Sequence, residues 1–287
     1  MPLTKPLKLT PQEVAQYEAR GFHFPVRAFT GEEALLLKNR FQAYHGEVAD
    51  RMRGLLPRER RAFMTETHCF LRWVYEIVSH PRILDAVESV IGPNIIVWAS
   101  QWFPKFPGDK AYVSWHQDAT YWGLQPPNVT TAWVALSESS AQNGCMRVVP
   151  GTHKPPLLPQ RETYAADNML SRGQEIAVEV DEDQAVDMPL LPGEFSLHHV
   201  GIVHGSGPND SGVPRIGLAV RYISPDVVQG NSGREIALLV RGRDEYGHFD
   251  LASPPDRDLP FGESRIHAEA LSRKAGNLLP KGGAGTS

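Results

Sequence analysis

Apolar residues in the N-terminal part of the chain recur at helical spacing. Thr10, Pro11 and Glu13 read as the capped start of a helix that Gly21 stops, and Thr30 with Glu33 repeats the capping signature before ALLLKNRFQAYHGEV. Ile83, Leu84, Val87 and Ile91 predict a further helix over Pro81–Ile91, closed by Gly92-Pro93. From Asn94 onward the pattern changes to short apolar or alternating runs punctuated by Gly, Pro and Asn. These are NIIVWASQWF, TTAWVALSE, MRVVPG, FSLHHVGIVH and RIGLAVRYI, and each predicts a strand. Successive strands without intervening helices point to a barrel or a two-sheet jelly roll.

The expected organisation is a single domain over 1–280. Residues 1–93 act mainly as helical support and 94–225 form the core that carries the site. Residues 155–187, polar and lacking apolar periodicity, form an inserted segment expected to act as a lid. KGGAGTS, residues 281–287, is expected to be a flexible tail. No internal repeat is visible.

Composition narrows the function classes. With 41% hydrophobic and 22% charged residues the chain can bury a core unaided. A net charge of −4, with Lys and Arg dispersed, argues against a nucleic-acid partner. Two cysteines, Cys69 and Cys145, cannot build a disulfide framework and contain no CxxC pair, which favours a reducing compartment. No stretch approaches the ~20 apolar residues of a membrane span, and the N-terminus lacks the apolar core of a secretion signal. A cytoplasmic protein with a small-molecule substrate is expected; the oligomeric state is not legible.

Two His-x-Asp pairs occur, His116/Asp118 and His248/Asp250. On an extended strand such a pair points to one side and can supply two neighbouring ligands to one ion. The first pair has a distal partner in His204, with Arg215 eleven residues later, suited to hold a carboxylate of a 2-oxo acid as a bidentate ion pair. Two histidines and one carboxylate that leave three positions open are the ligand set of non-haem iron(II) oxygenases. The second pair has only His267 downstream, in a polar segment, and is assigned to the surface.

The words QWFPKFPGDKAYVSWHQD, TTAWVAL, NGCMRVVPGTHK and HGSGPNDSGVPRIGLAVRYI, in this order, resemble the phytanoyl-CoA dioxygenase family of iron(II)- and 2-oxoglutarate-dependent oxygenases. The resemblance implies a double-stranded β-helix (cupin-like jelly roll), with His116, Asp118 and His204 as ligands of Fe(II) and Arg215 as the anchor of 2-oxoglutarate. It also implies that Ser206, Thr131 and Trp133 line the cosubstrate pocket. No catalytic residue beyond the metal ligands is required, because Fe(II), 2-oxoglutarate and O2 supply the oxidising chemistry. Related halogenases replace the carboxylate ligand with a small residue, so Asp118 implies hydroxylation.

The remaining candidates divide. Arg221, on the strand face of Arg215 by parity, is read as structural, and Cys145 as a small packed residue. Trp115, Tyr121 and Trp122 are equally core or substrate wall, and His199 faces away from the metal by parity. The expected reaction is hydroxylation of an aliphatic C–H bond in a small polar metabolite (an amino acid, aminophosphonate or natural-product intermediate), releasing succinate and CO2. Gln101, Asn143 and Arg147 are candidate substrate contacts. The alternatives are a hydroxylase of acyl-CoA or carrier-protein-tethered substrates, a non-catalytic metal-binding or sensor jelly roll, and a zinc-dependent hydrolase or isomerase.

Overall fold

The structure, a computed structural model, describes residues 7–230 and 233–278. The expected tail at 281–287 lies outside them. Thr10 and Thr30 each accept a hydrogen bond from the backbone N–H of Glu13 and Glu33, whose carboxylates in turn accept one from the threonine N–H. They start α1 (Pro11–Arg20) and α2 (Gly31–Met52). Gly21, at φ 86°, ends α1 in the left-handed region that glycine enters without strain. Then come α3 (Pro57–Met64), α4 (Arg72–Val78) and α5 (Pro81–Ile91), the last as predicted.

One strand among these helices escaped the hydrophobic pattern. β1 (Phe22–Arg27) contains Pro25, which lacks an N–H, and the strand is tolerated because it lies at a sheet edge. The chain continues through β2 (Ile95–Trp102), β3 (Val113–His116), α6 (Ala119–Trp122), β4 (Leu124–Gln125), β5 (Val129–Ala135) and β6 (Met146–Val149). After β7 (Gln160–Glu162), β8 (Gln174–Ile176) and β9 (Val186–Met188) follow β10 (Glu194–His199), β11 (Val203–Ser206) and β12 (Gly217–Ile223). β13 (Val228–Gln229), β14 (Ile236–Arg241), β15 (Asp250–Leu251) and α7 (Arg265–Leu278) complete it.

The strands form a seven-stranded sheet in the order β1-β10-β5-β12-β2-β14-β15, facing a four-stranded sheet β3-β11-β6-β9. This is the two-sheet alternative, and among the described residues no barrel closes. Two expectations change here. The run FSLHHVGIVH is two strands, β10 in the large sheet and β11 in the small one. The turn between them carries Gly201, where a Cβ would stand 2.8 Å from the His153 carbonyl oxygen. The segment 155–187 is not wholly an insertion, since Val186 and Asp187 already belong to β9, paired with β6.

Strand parity sorts the large sheet into two faces. Ala132 and Val134 of β5, Phe195 and Leu197 of β10, and Leu218, Val220 and Tyr222 of β12 pack against Phe41, Trp73, Ile83 and Val87 of the helices. The helices therefore cover the outer face and leave the inner one to the site. Among the described residues no helix is long and apolar enough to cross a membrane. Cys69 and Cys145 are free and buried.

Candidate metal centre

His116 ends β3, and its direct cross-strand partner on β11 is His204. Each ring Nδ1 lies near the carbonyl oxygen two residues earlier, Ser114 at 2.9 Å and Ile202 at 3.0 Å. A carbonyl only accepts, so each Nδ1 carries a proton and each Nε2 faces inward, where its lone pair would serve a bound metal. Asp118 arrives differently from the sequence expectation. β3 ends at His116, and Asp118 takes helical dihedrals (φ −59°, ψ −38°) at the start of α6, so a turn rather than strand parity aims its carboxylate. Gln117 holds that turn, donating to Gly201 O at 2.6 Å and accepting from Leu158 N at 2.7 Å.

The result is a tight buried triad. His116 Nε2 lies 3.2 Å from Asp118 Oδ1 and His204 Nε2 lies 3.9 Å from Oδ2, with ligand atoms of all three residues within 4.8 Å of one another. One ion at roughly 2.0–2.2 Å from each could bridge them. Burial pushes the Asp118 carboxyl up, but the hydrogen bond with His116 and the charges of His204, His116 and Arg221 hold it far below the usual carboxylate range. Burial, with His116 beside it, lowers His204 to about 4, so its ring is neutral near pH 7.

The inner face of the large sheet walls this triad. Thr131, Trp133, His198, Ala219 and Arg221 line the same narrow cavity, together with Ser206 and Arg215. Arg221, Thr131 and His198 form a row across β12, β5 and β10, because Thr131 is the register partner of both. The buried Thr131 Oγ1 has no hydrogen-bond partner, nor has Arg215 Nε. Such idle groups beside a carboxylate-sized gap fit an anionic ligand.

Arg215 precedes β12 rather than lying on it. Its Nη1 donates to Gly144 O and its Nη2 to Phe103 O at 3.1 Å, with the guanidinium 5.1 Å from the Trp133 ring centroid. Burial lowers its pKa to about 10, leaving it charged at pH 7.

Three residues were missed or misjudged, two that line the cavity and one, Lys105, bonded to its wall at Ser206. His198, adjacent to the histidine that parity correctly turns away, stacks 4.8 Å from His204, and burial drives its pKa well down. Lys105 is fully buried and donates to Ser206 Oγ at 2.7 Å; burial, then Arg215, lowers it to about 6. A lysine between FP dipeptides carried no signal of burial. Arg221, read as structural, instead lines the cavity.

Other candidates fall outside this cavity. Gln101 pairs within the sheet with Ala219 and Thr65, and Asn143 serves a local turn by donating to Glu138 O at 3.0 Å. Arg147 pairs with Glu182 and Asp187 beside a larger groove of about 1120 Å³, which shares only Val113 and Ser206 with the triad cavity. Trp115 borders that groove, Tyr121 lies under Arg172, and Trp122 packs on Trp98. Among the described residues His248 joins no group of potential metal ligands, and Asp250 pairs with Arg234 and Arg273. His267 is buried on α7, contrary to the polar character of its segment, with Nε2 2.9 Å from Thr65 O. A second buried group, Glu66, His68 and Cys69, already holds a cation, since Lys274 Nζ lies 3.1 Å from Glu66 Oε1.

Known proteins resemble this chain in sequence and in fold. The family model for phytanoyl-CoA dioxygenase matches residues 9–217. A probable alpha-ketoglutarate-dependent hypophosphite dioxygenase of Stutzerimonas stutzeri is 32% identical over 183 residues, 61% of this chain and 63% of that protein. The match thus spans under two thirds of that relative's length. Among solved structures, the apo non-heme monooxygenase ThoJ superposes with a TM-score of 0.80 at 35% identity, covering 92% of this chain and 96% of that one. CytC3 with Fe(II) and alpha-ketoglutarate gives 0.66 at 28%, covering 90% and 97%.

Proposed function

This chain belongs to the phytanoyl-CoA dioxygenase family, and from that premise we propose that it is an Fe(II)- and 2-oxoglutarate-dependent dioxygenase that hydroxylates an aliphatic C–H bond of a small polar metabolite. One observation carries the reading: the His116–Asp118–His204 triad and the buried Arg215 face one cavity. It is supported by the similarity to CytC3, a structure described with Fe(II) and alpha-ketoglutarate.

In this reading His116, Asp118 and His204 would hold the iron, two imidazoles and one carboxylate being a ligand set that leaves room for cosubstrate and O2. When bound, iron and 2-oxoglutarate supply the oxidising power, with succinate and CO2 as by-products. The chain's own residues do the rest. Arg215 grips the carboxylate of 2-oxoglutarate remote from the metal with charge-assisted hydrogen bonds. Lys105 donates to Ser206 Oγ, so the Ser206 hydroxyl proton is free to point at the same carboxylate, and Thr131 Oγ1 offers a further donor. Trp133 forms the wall beneath the Arg215 guanidinium. Leu170, from the 155–187 segment, closes one side of the cavity, which supports a covering role for that segment.

We also read the chain as one domain, because a single apolar core joins residues from Tyr17 to Tyr222. The two free thiols favour a reducing compartment such as the cytoplasm.

The test is anaerobic addition of Fe(II) and 2-oxoglutarate, which should produce a weak visible charge-transfer band. A panel of amino acids, aminophosphonates and acyl-CoA esters then reads substrate-dependent succinate. Metal binding without the band, and without succinate for any compound, would point to the non-catalytic alternative.

A further inference from the structure

Arg221 is the cavity group for which the chain itself provides no use. It stands on the inner face of β12, one strand from Thr131, and lines the cavity with the triad. Its buried Nε has no hydrogen-bond partner, and among the described residues its guanidinium makes no ion pair within 4.0 Å. Two ring faces lie against it, Trp122 at 5.3 Å and Phe103 at 5.8 Å from the centroids.

Two carboxylates exert some pull on it, Asp118 and Glu66. Asp118 belongs to the triad, and Glu66 is held by Lys274 at 3.1 Å. A second arginine makes the imbalance larger. Arg61 of α3 donates to Met169 O at 2.8 Å, next to the cavity residue Leu170, and has no carboxylate partner among the described residues. Burial and the charge of Arg221 both lower its pKa, to about 10, so both guanidinium groups remain charged at pH 7. Two like charges sharing a desolvated corner are unfavourable unless an anion joins them.

The cosubstrate does not answer this need. In the reading above, one carboxylate of 2-oxoglutarate would sit at the metal and the other at Arg215, so Arg221 and Arg61 would be left for a further anion. We propose that Arg221, supported by Arg61, binds an anionic group of the substrate, a carboxylate or phosphorus oxyanion, and so restricts this enzyme to negatively charged substrates. The proposal rests on the dioxygenase reading above. It makes Arg221 a specificity-determining residue and narrows the expected small polar metabolite to one with an acidic head group. A guanidinium offers the planar fork that such oxyanions accept bidentately.

The experiment is anaerobic calorimetry on the full chain with Fe(II) and saturating 2-oxoglutarate, using methylphosphonate, propionate and neutral propionamide as probes. Wild type should bind at least one of the anions and not propionamide. Arg221→Gln should weaken that binding at least ~tenfold while 2-oxoglutarate affinity changes less than ~threefold, and Arg221→Lys should recover part of the loss. Arg61→Gln, farther from the core, should weaken the same anion and serves if Arg221→Gln does not fold. The proposal is overturned if wild type binds no anion, if propionamide binds equally well, if neither variant weakens the anion, or if 2-oxoglutarate affinity falls in parallel. Failure of the dioxygenase reading is recognised separately, as absence of the charge-transfer band in wild type before any probe is added.

Discussion

His204 lies directly across from His116 in the antiparallel pair of β11 and β3, with ring centroids 4.1 Å apart. Because both Nδ1 atoms point at backbone carbonyls, the two Nε2 atoms converge without any side chain having to be recruited to orient them. Truncating either ring removes one ligand and leaves the ladder intact.

His204→Ala or His116→Ala should therefore reduce Fe(II) affinity at least ~100-fold, since even loss of an outer partner costs 10–100-fold. The charge-transfer band and succinate formation should vanish while the far-UV circular dichroism stays that of wild type. A variant that retained the band would sink the ligand assignment.

Arg215→Lys keeps the charge but loses the fork, and with it the donors to Gly144 O and Phe103 O. The KM for 2-oxoglutarate should rise ~10–100-fold, corresponding to about 1.5–3 kcal/mol for a charged hydrogen bond. Steady-state kinetics in 2-oxoglutarate at fixed iron reads this. An unchanged KM would place the cosubstrate carboxylate elsewhere.

Gly217 is where the backbone needs the smallest side chain, because a Cβ there would lie 2.0 Å from Trp133 Cζ2. Gly217→Ala must displace the indole that lies beneath Arg215, at a cost of about 1–3 kcal/mol for overpacking. Thermal denaturation should show a lowered Tm together with a raised KM for 2-oxoglutarate. Gly212→Ala, at a position with nothing within 4 Å, is the control and should change neither.

His68 predicts a pH dependence. Burial, reinforced by Lys274 and His267, depresses it from 6.5 to about 3. Between those values the unfolded chain binds a proton that the folded chain refuses, so stability is complete above pH 6.5 and is lost as the pH falls. The loss is about 1.4 kcal/mol per pH unit from this group. Urea unfolding between pH 7.5 and 5 should show the decline. His68→Gln, which can still bond Ser100, should flatten it in part, with His199 at about 4 supplying more of the remaining slope. An identical slope in the variant would count against a neutral buried His68.

What the sequence determined by itself was whatever is settled within a few residues or by the order of motifs. Thr10 and Thr30 announced their helices because each cap closes between a side chain and a backbone three residues away. The apolar runs announced β2, β5, β6 and β12 because alternation is a local property, and the order of the motifs singled out His116, Asp118, His204 and Arg215, which the fold brings to one cavity. Only the tertiary structure decided what depends on pairing between distant strands. It put Pro25 on an edge strand, divided FSLHHVGIVH between two sheets, and brought Asp118 in on a turn. It also set Thr131 as the shared register partner of His198 and Arg221, which placed both of those side chains in the cavity. A strand's parity says which residues share a face, but which face becomes the inside is chosen by the sheet and helices that cover the other one.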